Sequence, residues 1–294
     1  MKRDFGGKIA YYILIFVMLI VALVTLYPFW YCLVYSLSDP MAAVQKNIVL
    51  LPAGFSLYNY QHVFEDKRIF APFFISVART VAGVIWAVSV TGLASYAISK
   101  RKLPCNRAIS IFLIIPMYIS GGLIPTYVLM HDLHLFNNFL VYILPNGFWA
   151  FNMLLMRTYY DTIPPSLEES AKLDGAGDLR IFIRIIFPLS MPVISVIAMF
   201  TGVWHWNSWF DTVLYVTKKQ LFPLQVVIQQ LIQEAYVSPN DLKSGNLNQR
   251  TSTVVFPEAF RMATILVTII PIVLVYPFFQ KYFVRGVMIG AVKA

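Results

Sequence analysis

Six stretches of predominantly apolar residues, at about 9–35, 70–99, 108–130, 138–159, 188–216 and 262–283, limit what this chain can fold into. Each is long enough to cross a hydrocarbon layer of roughly 30 Å as a helix. In lipid every backbone amide and carbonyl must be satisfied within the chain, which leaves the helix as the spanning form for runs of this length. The expectation is an all-α polytopic membrane protein with six transmembrane helices, a single domain over 1–294. Charged residues make up 13% of the chain, about half the share of a soluble domain, and no stretch reads as a domain able to fold alone in water.

The net charge of +9 is informative only loop by loop. Lys2, Arg3 and Lys8 precede the first apolar run, which is too long for a signal peptide and lacks a small-residue cleavage site, so it reads as an uncleaved span. Lys100, Arg101, Lys102 and Arg107 follow the second run, and Lys281, Arg285 and Lys293 accompany the end of the last. Lys and Arg mark the cytoplasmic side, so both ends are expected there. His131-Asp132-Leu133-His134, without Lys or Arg, then falls outside, as does the long polar stretch 217–261. Residues 38–68, mixed in charge and aromatic, suit a loop folded on the membrane surface. Pro116, Gly121, Gly122 and Pro125 interrupt the third run, and Pro145 and Gly147 the fourth. Such breakers are tolerated only where the backbone lines protein or a wet cavity.

One charged island stands apart: residues 166–192, SLEESAKLDGAGDLRIFIRIIFPLSMP. Ser166 with Glu169 has capping-box spacing, so a helix is expected from near Leu167. Gly175 and Gly177 end it, since glycine takes the left-handed termination without strain. Asp178 is expected to cap a second helix, 179–187, closed by Pro188. Seven charged side chains (Glu168, Glu169, Lys172, Asp174, Asp178, Arg180 and Arg184) exclude this bent knob from lipid, so it projects into water toward a partner.

Glu169-Ser170-Ala171, then Asp174-Gly175-Ala176, then Phe182, Pro188 and Pro192 resemble the EAA loop of bacterial importer permeases of the ATP-binding-cassette (ABC) class. The family usually has Ala where this chain has Ser170. Leu103-Pro104, the stretch from Pro116 to Pro125, Ile163-Pro164, and the tail Phe283-Val284-Arg285-Gly286 with Gly290-Ala291-Val292-Lys293 extend the resemblance to nearly the whole chain. They point to the carbohydrate-uptake subfamily, similar to the maltose permease G-type subunit, and to a branch handling uronate-containing oligosaccharides such as alginate- or pectin-derived ones. The resemblance implies the type I ABC importer transmembrane fold in a bacterial plasma (inner) membrane. In it the cytoplasmic loop 164–187 docks on an ATPase through Glu169, Ser170, Ala171, Asp174, Gly175, Ala176 and Pro188. It further implies a second homologous permease, two ATPase subunits that bind ATP and Mg, and an extracytoplasmic solute-binding protein reached by the outer loop 217–261.

Trp204-His205-Trp206-Asn207-Ser208-Trp209-Phe210-Asp211 is the most unusual stretch after the knob. Its bland reading is an interfacial aromatic belt. The sharper one is a sugar platform, with Trp204, Trp206 and Trp209 stacking on pyranose rings, Asn207 and Asp211 bonding hydroxyls, and His205 a basic side chain on the pathway. Trp206-Asn207 also looks like a pair found at this place in sugar permeases. Arg79, inside the second span, either snorkels to the headgroups or faces the pathway as a cation for an anionic solute.

Other polar residues carry less. His131 and His134 are more simply interfacial than metal ligands, and no metal or cofactor site is expected. Glu258 and Arg261 pair with each other. Cys32 lies in an apolar span and Cys105 in a basic loop, so no disulfide links them. No phosphate-binding Gly-Lys-Ser/Thr loop, His-Glu-x-x-His or Cys-x-x-Cys is present, so energy must come from a partner. The expected role is an ATP-driven permease working by alternating access. The alternative is a polytopic membrane enzyme acting on a lipid or glycan through Asp211 or His205. A passive channel has no need of the knob.

Overall fold

The structure, a computed structural model, describes residues 5–45, 48, 50–65, 67–100, 103–235 and 257–291. Residues 236–256 of the outer stretch 217–261 lie outside the described residues, as do Lys2, Arg3, Arg101, Lys102 and Lys293. Two compact units are formed, one from Met1–Ile69 with Ile228–Ile270, the other from Phe70–Val227 with Pro271–Ala294.

In the first unit α1 (Phe5–Ser36) is an apolar helix exposed over most of its length, as a lipid-facing helix must be. Its C-terminal end meets the segment expected to lie on the membrane surface, which folds into α2 (Pro40–Gln45) and α3 (Tyr58–Glu65). The polar groups released there are satisfied locally. Asn59 Nδ2 donates to the carbonyls of Ser36 and Ser38 at 2.9 and 3.0 Å, Ser36 Oγ lies 2.8 Å from the Tyr60 hydroxyl, and Ser38 pairs with Phe55 in an isolated antiparallel bridge. Val34, Ala43, Ile48 and Ala53 form a small core beneath. After α13 (Leu224–Ala235), the last described helix, α14 (Pro257–Ala291), starts in this unit with the expected Glu258–Arg261 pair at 2.8 Å.

Three of the six expected spans are unbroken apolar helices: Tyr11–Ser36, Arg68–Ser99 within α4 (Lys67–Ser99), and Glu258–Gln280 within α14. The other three are bent pairs. Residues 108–130 become α5 (Asn106–Tyr118) and α6 (Leu123–Asp132), which meet at 114°. Residues 138–159 become two 3-10 turns (Phe139–Tyr142 and Leu144–Asn146) and α7 (Ala150–Tyr160), bent by 51°. Residues 188–216 become α11 (Met191–Asn207) and α12 (Phe210–Tyr215), with the helical segment Asp178–Leu189 meeting α11 at 81° around Ser190. The interruptions fall where the Gly and Pro residues forecast them for the third and fourth spans. For the fifth they fall at Ser190, between Pro188 and Pro192, and at Ser208-Trp209, where the sequence offers no such signal.

The knob differs from expectation in its caps. α8 (Pro165–Leu173) begins at Pro165 with Pro164 as N-cap and no side-chain cap, so Ser166 and Glu169 form no capping box. Pro165 at the first helical position has no amide hydrogen to satisfy and a φ already set for the helix, which removes the need for one. Termination follows the glycine rule: Gly175 sits at φ 76°, its amide donates to the Lys172 carbonyl at 3.0 Å, and Ala176 reaches back to Ala171 at 2.9 Å. Gly177, not Asp178, is the next N-cap, and the Asp178 carboxylate turns to Lys172 at 3.1 Å. The second helical segment runs past Pro188, through α9 (Asp178–Ile181), a π turn (Phe182–Ile186) and α10 (Phe187–Leu189). In the π turn the Phe187 amide reaches Phe182, five residues back.

Candidate functional site

Two places on the second unit carry more than packing. At the knob, Glu169, Ser170, Asp174, Gly175 and Pro188 are exposed, whereas Ala171 and Ala176 pack partly buried against a core containing Ile181, Phe182 and Ile186. Leu173 is 90% exposed, with Leu179 and Ile183 also open to solvent. Apolar side chains are thus held out among carboxylates on an ordered bend, an exposed patch of the kind that marks interaction sites. The core anchors it: the Phe182 ring lies 5.1 Å from Tyr96 of α4, and Tyr96 lies 6.4 Å from Tyr160 of α7. Lys100, just past α4, sits 3.9 Å above the Tyr96 ring and pairs with Glu168 of α8. Sequence reasoning passed over Lys100, Glu168 and Tyr96 as partners, since nothing local ties residue 100 to residue 168.

The second place is the end of α11. Phe200, Val203, Trp204, Asn207, Ser208, Trp209 and Phe210 line an open cleft of about 430 Å³. Four of these stand at 200, 203, 204 and 207, the i, i+3, i+4, i+7 spacing of one helix face. That spacing was legible in the sequence and would have separated residues grouped there as one cluster. Trp204 packs edge-to-face on Trp149 at 5.6 Å, and Asn207 Nδ2 donates to the Val203 carbonyl at 2.9 Å, leaving its amide oxygen toward open space. His205 and Trp206 point the other way. Trp206 is buried with its ring 6.1 Å from Phe73, and His205 is fully buried under Gly83 of α4, where a Cβ would overlap the imidazole. Neither imidazole nitrogen has a hydrogen-bond partner among the described residues.

Behind the cleft lies Arg79, fully buried. Its Nη2 donates to Asp211 Oδ2 at 2.5 Å, and its Nη1 to the Ser208 carbonyl at 3.2 Å, while the guanidinium lies 4.3 Å from the Tyr142 ring centroid. This corrects both expectations for Arg79, which neither snorkels nor stands free toward a solute. It also corrects the reading of Asp211 as a hydroxyl-bonding group in the pathway, and of His205 and Trp206 as part of the platform. The reason is the break at Ser208-Trp209. It frees the Ser208 carbonyl to accept from Arg79 and swings Asp211 inward, where a buried charge demands an opposite one. Tyr142, which closes over the guanidinium and donates to the Leu221 carbonyl at 3.0 Å, gave no sequence signal. Among the described residues no group of three or more His, Cys, Asp or Glu is arranged to hold a metal, and of such groups His131 meets only the Asp132 carboxylate, at 3.3 Å. Trp204, Asn207 and Trp209 remain as the expected residues that the cleft brings together.

A family model described as binding-protein-dependent transport system inner membrane component matches residues 3–289. The chain is similar to the polygalacturonan/rhamnogalacturonan transport system permease protein YtcP of Bacillus subtilis (strain 168), at 35% identity over 94% of this chain and 95% of that one. Protein LplC of the same organism is 32% identical over 93% of this chain and 91% of the relative. Among solved structures, a bacterial ABC transporter involved in the import of the acidic polysaccharide alginate contains a chain that superposes with a TM-score of 0.85. That chain is 29% identical, and the match covers 96% of this chain and 99% of that one.

Proposed function

The chain belongs to the family of binding-protein-dependent transport system inner membrane components, and on that premise we propose that it imports acidic oligosaccharides. It is a multi-pass membrane permease of the ABC class and a transport subunit, which sets aside the membrane-enzyme alternative. The observation that carries the sugar reading is the cleft of Trp204, Asn207 and Trp209 at a break in the fifth span. Flat indole faces beside an amide suit pyranose rings with their hydroxyls, and irregular backbone at that depth suits a wet cavity. The acidic part rests on likeness. One relative is named for polygalacturonan and rhamnogalacturonan, and the solved importer for an acidic polysaccharide. Their shared chemistry is a carboxylate on the sugar.

The work cycle is alternating access. ATP and Mg bind to two partner ATPases, whose closure moves the knob through Glu169, Ser170, Asp174 and Gly175, and the helices above it open the cleft to a solute-binding protein. A second homologous permease completes the pathway. Both termini lie in the cytoplasm, as the basic residues around Lys100 and at the chain ends require. The experiment is ATP hydrolysis and uptake by the assembled importer in proteoliposomes, supplied with binding protein and either a uronate oligosaccharide or a neutral one of equal length. Stimulation by the uronate, reduced by Trp209→Ala and Asn207→Ala, is expected. Stimulation by the neutral sugar alone would refute the acidic assignment.

A further inference from the structure

Trp204, an indole that lines the cleft, is held by two rings that do not line it. The Trp149 ring meets it edge to face, with centroids 5.6 Å apart and planes at 73°, and the His205 ring does the same at 5.0 Å and 84°. Both rings, and the residues of α4 on which they are seated, belong to the second unit.

The seat of His205 is Gly83, where a Cβ would overlap the imidazole Nε2, so the ring fills a notch that only glycine leaves open. One turn further along α4 the Trp86 indole lies against Gly147, where a Cβ would overlap its Nε1. Gly147 stands at the break of the fourth span, and Trp149, two residues on, is the N-cap of α7. The bend from which Trp149 reaches Trp204 is therefore packed against the same helix that seats His205.

His205 is fully buried, and neither of its ring nitrogens has a hydrogen-bond partner among the described residues. A buried polar group in that condition costs free energy that an aliphatic side chain of similar volume would not. What the imidazole supplies is a thin flat ring, narrow enough for the Gly83 notch and able to meet an indole edge to face. Leucine, branched at Cγ, supplies neither. A pyranose stacks on an indole only when the ring plane is held at one angle, and an indole already held loses little rotamer freedom when the sugar arrives.

We infer that His205 and Trp149 are positioning residues for transport, which fix the Trp204 indole in the orientation that receives a sugar ring and act on the solute through it. The inference rests on the sugar reading of the cleft and names the residues that set its geometry. Through Gly83 and Trp86, α4 holds both braces.

Initial rates of uptake test it, measured per assembled importer in proteoliposomes with binding protein and a uronate oligosaccharide. Trp149→Leu and His205→Leu are each expected to lower the rate about two- to tenfold, the range an edge-to-face aromatic pair is worth. Neither should lower it further in a Trp204→Ala chain, because a brace has nothing to act on once the indole is gone. Trp149→Phe keeps a flat ring and should recover most of what Trp149→Leu loses. Should His205→Leu fail to assemble, the half-exposed Trp149 carries the test. A fall just as large in the Trp204→Ala chain, or a Trp149→Phe protein no better than Trp149→Leu, overturns the positioning role. Unchanged rates in both single variants overturn it too, and leave the sugar reading standing if Trp204→Ala alone loses uptake. A Trp204→Ala importer that takes up acidic and neutral oligosaccharides like the parent removes that reading, and the braces with it.

Discussion

Lys100, just past the C-terminal end of α4, forms an ion pair with Glu168, on the first helix of the knob, while Arg79 in the N-terminal half of α4 is paired with Asp211 beside the cleft. About twenty residues of continuous helix, roughly 30 Å, separate the two pairs. One helix therefore touches both the knob and the residues beside the cleft.

The Lys100–Glu168 contact is expected to transmit motion more than to stabilise. Both side chains are about a quarter exposed, and a pair of that kind contributes on the order of 1 kcal/mol or less. Lys100→Glu should leave protein levels and melting temperature nearly unchanged while lowering binding-protein-stimulated ATP hydrolysis in proteoliposomes. Lys100→Glu combined with Glu168→Lys should recover most of it. A double variant no better than the single would show that the contact transmits nothing.

At the elbow of the knob, Gly175 takes φ 76° and donates its amide to Lys172. Proline can do neither, so Gly175→Pro should insert and assemble yet lose uptake. Gly175→Ala keeps the amide and costs about 1 to 2 kcal/mol of left-handed strain, so partial uptake should remain. Glu169→Lys, which reverses a charge on the exposed face without touching the fold, should lose ATPase docking in a pull-down at normal expression.

Gly83 gives a packing test at the α4–α11 contact. Its missing side chain is the space occupied by the buried His205 imidazole, so Gly83→Ala should destabilise the detergent-solubilised protein by about 1 to 3 kcal/mol of overpacking. Gly83→Ala with His205→Ala should melt closer to the parent than Gly83→Ala alone, because the second change removes the clashing ring.

How much of this was legible in the sequence depended on range. Apolar run lengths foretold the three unbroken apolar helices, and Gly175 the knob's bend, because both are properties of neighbouring residues. Pro165 displaced the expected Ser166 cap for a local reason that could have been weighed, namely that a proline already supplies the first helical position. At the cleft, Trp204 and Asn207 separate from His205 and Trp206 by helical periodicity alone. What no local pattern carried was the break at Ser208-Trp209. It lacks Gly or Pro, and the groups it turns, the Ser208 carbonyl and the Asp211 carboxylate, meet Arg79 some 130 residues away in the chain.

That pair sets the last test. Arg79 is fully buried and the Asp211 side chain is 13% exposed, so removing one partner leaves a buried charge without its counter-ion, a loss of about 3 to 5 kcal/mol. Arg79→Gln should therefore lower the melting temperature and the assembled fraction, and uptake of acidic and neutral oligosaccharides should fall together. Arg79→Gln with Asp211→Asn removes both charges and keeps two amides able to hydrogen-bond across the same gap. It should recover most of the lost stability, since neutral replacement of a buried pair is often close to neutral in free energy. Thermal melts and uptake of both sugars, measured on the parent, the two single variants and the double variant, complete the cycle. An Arg79→Gln protein that melts like the parent and loses only uronate uptake would mean that the guanidinium leaves Asp211 during transport and meets the solute carboxylate itself.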